Sequence, residues 1–138
     1  MRILALDHGT KRIGVATSDE LRMMAHPLEY IDAEPFAGVL DRIRVLVREK
    51  EVGQIIVGMP RRMDGSYGEA AARTKEFVNV LREAIPLPIR TWDERLTSVA
   101  ANRALNEGGV KRGDRKERVD AMAAAILLQS YLDSLGPE

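Results

Sequence analysis

Residues 4–19, LALDHGTKRIGVATSD, run from an apolar segment into a carboxylate, a glycine-containing turn and a second apolar segment. The pattern predicts a β-hairpin, with Asp7 closing the first strand and residues 13–17 forming the second. An acid at the end of a central strand is costly unless something cationic uses it. Asp before Gly also serves turns, by bonding its own backbone. Asp7 taken alone therefore supports a structural and a functional reading equally.

After the hairpin, residues 27–31 predict a third short strand, and Asp32 and Pro35 supply a helix start. Phe36, Val39, Leu40, Ile43, Leu46 and Val47 recur at helical spacing, the apolar stripe of a helix packed on a sheet. Residues 54–58, QIIVG, form a continuous apolar run bounded by glycines, as a buried parallel strand does. The loop MPRRMDGSYG leads to a second helix with Ala71, Thr74, Phe77, Val78 and Leu81 on one face. Pro86 and Pro88 precede a strand over residues 89–92, and Asp93 and Glu94 stand where it stops.

Thr97 or Ser98 can cap a third helix that Gly108 and Gly109 end, and a basic loop follows to Arg115. A last helix over about residues 116–134 has Val119, Met122, Ala123, Ile126 and Leu127 as its expected buried stripe, with Asp120 at its edge. Strands first, then helices and strands in alternation, predict an α/β domain with a mixed sheet whose later strands are parallel. Nothing in the 138 residues marks a boundary, so one domain is expected over residues 1–138.

Composition narrows the chemistry. The absence of cysteine excludes disulfides and thiolate metal sites. With no signal peptide and no apolar run of spanning length, a cytoplasmic protein without a membrane partner is expected. Net charge is zero, 21 basic against 21 acidic residues, but the basic residues cluster. Lys11 with Arg12, Arg61 with Arg62, and Arg115 with Arg118 can each contact phosphates or simply form a solvated face.

In an open α/β sheet, ligands collect beyond the carboxyl ends of the parallel strands. Asp7, Asp93 and Glu94 fall at that edge, and Asp120 joins them if the last helix packs across it. Carboxylates gathered in one crevice raise each other's pKa unless a divalent cation is present. Oxygen ligands without His or Cys suit Mg²⁺ or Mn²⁺ rather than zinc. Two such ions roughly 4 Å apart are a known device for phosphodiester hydrolysis. His8 reads as a solvent-facing turn residue and Trp92 as packing. With only two Phe, three Tyr and one Trp, base stacking is not expected to be the main mode of binding.

LALDHGTKRIGVATSD, IIVGMPRRMDGSYG, TWDERLTS and RVDAMAAAILLQSYL, in this order and spacing, closely resemble the YqgF family. These are small bacterial proteins associated with pre-16S rRNA processing or a Holliday-junction resolvase-like activity. The resemblance covers nearly the whole chain. It implies an RNase H-like three-layer fold, a five-stranded mixed sheet flanked by helices, and a metal-dependent nuclease. By motif position, Asp7, Glu94 and Asp120 would be the catalytic metal-binding carboxylates. Asp93 is an adjacent candidate ligand whose side chain can instead support the fold or loop. Lys11, Arg12, Arg61, Arg62, Arg95, Arg115 and Arg118 would contact nucleic acid, and Ser66 would serve its turn or donate to a phosphate. Arg61 and Arg62 are more basic than the family pattern requires.

Three functions follow from different classes. The leading expectation is a nuclease with two Mg²⁺ or Mn²⁺ ions, acting on structured RNA such as the 5′ end of pre-16S rRNA. The same acids could cleave branched DNA, where a symmetric junction requires a homodimer rather than a monomer. A non-catalytic nucleic-acid or ribosome-associated module is disfavoured, because clustered acids beside phosphates hinder a pure binder.

Overall fold

The structure, a computed structural model, describes residues 1–60, 64, 66–94 and 115–135, with only the backbone for 115–120. The elements are β1 (Arg2–His8), β2 (Arg12–Ser18), β3 (Ala25–Asp32), α1 (Phe36–Glu49), β4 (Val52–Met59), α2 (Glu69–Ala84), β5 (Ile89–Asp93) and α3 (Arg115–Ser134). The expected helix over 97–106, the basic loop after it, and Arg61, Arg62 and Arg95 lie outside the described residues.

The five strands form one sheet in the order β3-β2-β1-β4-β5. The first three are antiparallel, as a hairpin start requires, and β4 and β5 run parallel to β1. At the β1–β2 turn the Gly9 N–H donates to the Arg12 carbonyl at 3.0 Å. A Cβ on Gly9 would stand 2.6 Å from that same oxygen, so the turn tolerates only glycine at this close approach.

Because both faces of the sheet are covered, the middles of β1 (residues 3–6) and β4 (residues 55–57) are continuously apolar rather than alternating. Leu4, Leu6, Ile13, Val15, Ile55, Val57 and Ile89 point to one face, where α1 and α2 supply Val39, Ile43, Leu46, Phe77, Val78 and Leu81. Ile3, Ala5, Ala16 and Ile56 point to the other, which α3 covers.

The stripe of α3 differs from the expected one. Ala121, Ala124, Ala125, Leu127, Leu128, Tyr131 and Leu132 are buried, while Met122, Ala123 and Ile126 are only partly so. Small residues let the helix backbone approach the sheet closely, and this outweighs the size of Met122 and Ile126. Val119 lies among the residues whose side chains are not described. Further along, Gln129 accepts from the Ala25 N–H at 2.9 Å and donates to the Met23 carbonyl at 3.0 Å. Ser130 accepts from the Trp92 indole N–H at 3.1 Å, and the Tyr131 hydroxyl from Gln54 at 3.1 Å. Among the described residues no helix is long and apolar enough to cross a membrane.

Candidate active site

The register of three strands builds the site. Asp7 pairs with Gly14 of β2, and Leu6 pairs with Val57, which brings Gly58 of β4 beside Asp7 on its other flank. Gly58 in turn pairs with Trp92 of β5. Alternation along β1 puts Asp7 on the face of Ile3 and Ala5, the face that α3 covers. Glu94, directly after β5, folds back across β4. A Cβ on Gly58 would stand 2.5 Å from its Oε1, 2.9 Å from its Cγ and 3.1 Å from its Cδ. Glycine on both flanks of Asp7 leaves the carboxylate uncrowded, and Gly58 is the floor on which Glu94 rests.

The two carboxyls meet over that floor. Burial, then a hydrogen bond to Asp7, then the charges of Asp7 and Asp93, push the Glu94 carboxyl up to about 9. At neutral pH Glu94 therefore keeps its proton and donates it to Asp7, two acids sharing one hydrogen where like charges could not coexist. The donor set of such a pair, oxygen only, would suit a hard divalent cation in place of the shared proton. Among the described residues no group of three or more His, Asp or Glu side chains is arranged to hold a metal ion. Asp93 occupies a β5 position that alternates with Trp92, on the side of Ile89, and acts on Glu94 as a neighbouring charge.

The remaining expected residues are spread more widely. Lys11 is exposed at the β1–β2 turn, and the Arg12 guanidinium lies 5.6 Å from the centroid of Tyr30. Ser66 follows its turn reading: its N–H and hydroxyl both donate to Asp64, at 2.9 and 2.6 Å. Arg115, Arg118 and Asp120 lie in the first turns of α3, with side chains outside the described set. Asp120 is one turn before the buried Ala124.

His8 is not a solvent-facing turn residue. It stacks on Phe77 with ring centroids 4.5 Å apart and its Nδ1 is 3.4 Å from the Thr74 hydroxyl, on the opposite face from Asp7. Burial, with the Arg73 charge, lowers its pKa, so it packs as a neutral ring. Trp92 packs as expected, edge-on to Tyr131 at 5.3 Å. Sequence reasoning passed over Tyr67 and Lys75, whose ammonium lies 4.3 Å from the Tyr67 ring centroid. An exposed tyrosine in the DGSYG loop was the one available signal.

Sheet order, register and the acid pair at the strand ends define a protein of the RNase H-like class. Solved structures with this fold include Thermus thermophilus RuvC in complex with a Holliday junction substrate, at 16% identity and a TM-score of 0.57, covering 99% of this chain and 96% of that one. The fowlpox virus resolvase with Holliday junction DNA has 12% identity and a TM-score of 0.64, covering 99% and 100%. The chain belongs to the RuvX (YqgF) family, whose profile, described as Holliday junction resolvase, matches residues 1–134. A relative from Desulforamulus reducens is 46% identical over 134 residues, 97% of this chain and 98% of its own. One from Geobacillus kaustophilus is 47% identical over 136 residues, 97% and 99% of the two chains. Both bear the name "Putative pre-16S rRNA nuclease".

Proposed function

We propose that this chain is a divalent-metal-dependent nuclease that trims the 5′ end of pre-16S rRNA, with Asp7, Glu94 and Asp120 as its ligands. The observation that carries this reading is the Asp7–Glu94 pair, held over Gly58 with one proton between two acids. The names of relatives aligned over nearly all of the chain support the activity and the substrate. Bound Mg²⁺ or Mn²⁺, as a pair of ions, would supply an activated water and charge stabilisation for the leaving oxygen.

The chain's own residues do the rest. Asp7 is fixed by a central strand with partners on both sides, so its carboxylate holds position as charge moves. Glu94 would be ionised with a cation bound, so that the pair's full negative charge would be present only where it is neutralised. Asp120, in the first turns of α3, would complete the set from the helix that covers this face. We take Asp93 as a supporting charge rather than a ligand, since its strand position alternates away from the pair. Lys11 and Arg12, at the turn beside Asp7, would hold the substrate backbone, with Arg61, Arg62, Arg95, Arg115 and Arg118 as further phosphate contacts.

Branched DNA is the second reading, favoured by the resolvase description of the matching family. The test compares a labelled pre-rRNA 5′ leader, single-stranded RNA and a four-way DNA junction, each with Mg²⁺, Mn²⁺ or EDTA. Metal-dependent cleavage of the leader that vanishes in Asp7→Asn is expected. Preferential cleavage of the junction by a dimer would select the second reading, and no cleavage with any metal would remove both.

A further inference from the structure

We propose that Tyr67 and Lys75 form a nucleotide subsite on the sheet edge that carries the acid pair, where an unpaired base of the substrate strand stacks on the Tyr67 ring and Lys75 meets the adjoining phosphate. The inference rests on the nuclease reading and adds to it a substrate class: a strand with at least one unpaired base close to the scissile bond.

Position is the first argument. His8 follows Asp7 on β1 and bonds Thr74 of α2, and Lys75 is the next residue of that helix. Lys75 in turn reaches the Tyr67 ring at 4.3 Å. Tyr67 stands just before α2, between the carboxyl end of β4 and the helix start, on the sheet edge where Asp7 and Gly58 lie. The stack of His8 on Phe77, itself edge-on to Phe36 at 6.3 Å, fixes α2 against the end of β1.

Chemistry is the second. Tyr67 is the most exposed aromatic side chain of the chain, at 53%, whereas Phe77 and Tyr131 are at 4% and 6%. The Lys75 ammonium lies over one face of the half-exposed ring, which leaves a base to stack on the other face with its phosphate reaching the cation, and stacking of this kind is tolerant of sequence. Arg73, exposed on the same helix, adds positive charge nearby. Immediately before Tyr67, Asp64 accepts two hydrogen bonds from Ser66. A continuous duplex offers no free base face, which is why the subsite selects unpaired nucleotides.

The test uses the full chain carrying Asp7→Asn, so that bound oligonucleotide stays intact, and an RNA in which 2-aminopurine or an abasic residue is moved one position at a time. Tyr67→Leu is expected to weaken binding about ten- to a hundredfold. Tyr67→Phe should stay within about twofold, since the ring carries the contact. At one position 2-aminopurine fluorescence should be quenched by the parent and by Phe but not by Leu. With an abasic residue there, parent and Leu should bind equally. Equal losses for Phe and Leu, a Leu loss that persists on abasic RNA, or no loss at all would overturn the subsite. Circular dichroism melting of each variant separates unfolding from lost binding. Cleavage of the same RNA by protein with Asp7 intact reads the nuclease separately: cleavage indifferent to Tyr67→Leu removes only the subsite, and stacking without cleavage leaves the subsite and removes the nuclease.

Discussion

The two faces of the sheet are drawn from alternate residues of the same strands, yet they differ in kind. Toward α1 and α2 the strands present Leu4, Leu6, Ile13, Val15, Ile55 and Val57, branched side chains that fill the layer. Toward α3 they present Ile3, Ala5, Ala16 and Ile56, and then, near the carboxyl edge, Gly14, Asp7 and Gly58. One face is filled to hold the fold together. The other thins out until two acids can meet in the space that side chains leave. Stability and chemistry are thus separated by the two-residue period of a strand, and single substitutions should distinguish them.

The largest effect belongs to the open face. Asp7→Asn should lower metal-dependent cleavage by about a thousandfold, since a lost charge on the reacting centre is not replaced. Its melting temperature should change little, because the Asn side-chain oxygen can still accept the hydrogen bond from the protonated Glu94. Leu4→Ala, one strand position from Ala5 but on the filled face, should do the opposite. A fully buried Leu lost from a close-packed layer costs about 2–5 kcal/mol, read by urea denaturation, while cleavage per folded molecule persists.

Gly58→Ala sharpens the contrast further. The added methyl overlaps the Glu94 carboxyl and must push it aside, so cleavage should drop about ten- to a hundredfold in a folded protein. Wild-type melting temperature with a loss of metal binding by calorimetry would be the signature.

The acid pair also sets a pH dependence. Glu94 titrates at about 9 in the metal-free fold, against an ordinary value of 4.5. Between those values the folded state holds a proton that the unfolded state has released. Metal-free stability should therefore fall as pH rises from about 4.5 to about 9. Divalent cation should flatten that slope, and its affinity should increase with pH over the same window. Thermal melts at several pH values, with and without Mg²⁺, check both. The smallest effect is expected from Trp92→Phe, which keeps a ring against Tyr131 but removes the bond to Ser130. About 1 kcal/mol of stability should be lost.

Much of the filled face was legible in the sequence, because bulky apolar residues at strand and helix spacing leave few alternatives. The stripe of α1 and the run at Ile55–Ile56–Val57 fall where the pattern puts them. The α3 face was read less well. Ranking by size favours Met122 and Ile126 over Ala121 and Ala125, whereas a helix lying close on a sheet selects the small residues. His8 was misread for a related reason: its neighbours in sequence suggest a turn, and only α2, more than sixty residues later, supplies the ring it stacks on. The acids at the strand ends were legible as candidates. Their convergence on one edge was legible too, but not the way Asp7 and Glu94 meet, since that depends on Gly58 being bare and on a side chain reaching across from the next strand.

The anchoring of α3 has a mechanical consequence. Gln129, Ser130 and Tyr131 fasten its later turns to β3, β5 and β4, while Asp120 stands ten residues earlier, about 15 Å along the axis. The helix is a lever with its fulcrum far from its working tip. A tilt of about 5° at Ser130 sweeps the backbone of Asp120 through about 1.3 Å. Residues remote from the strand ends thereby govern the position of the helix start that carries Asp120, the proposed third ligand, and a change at the fulcrum is magnified there.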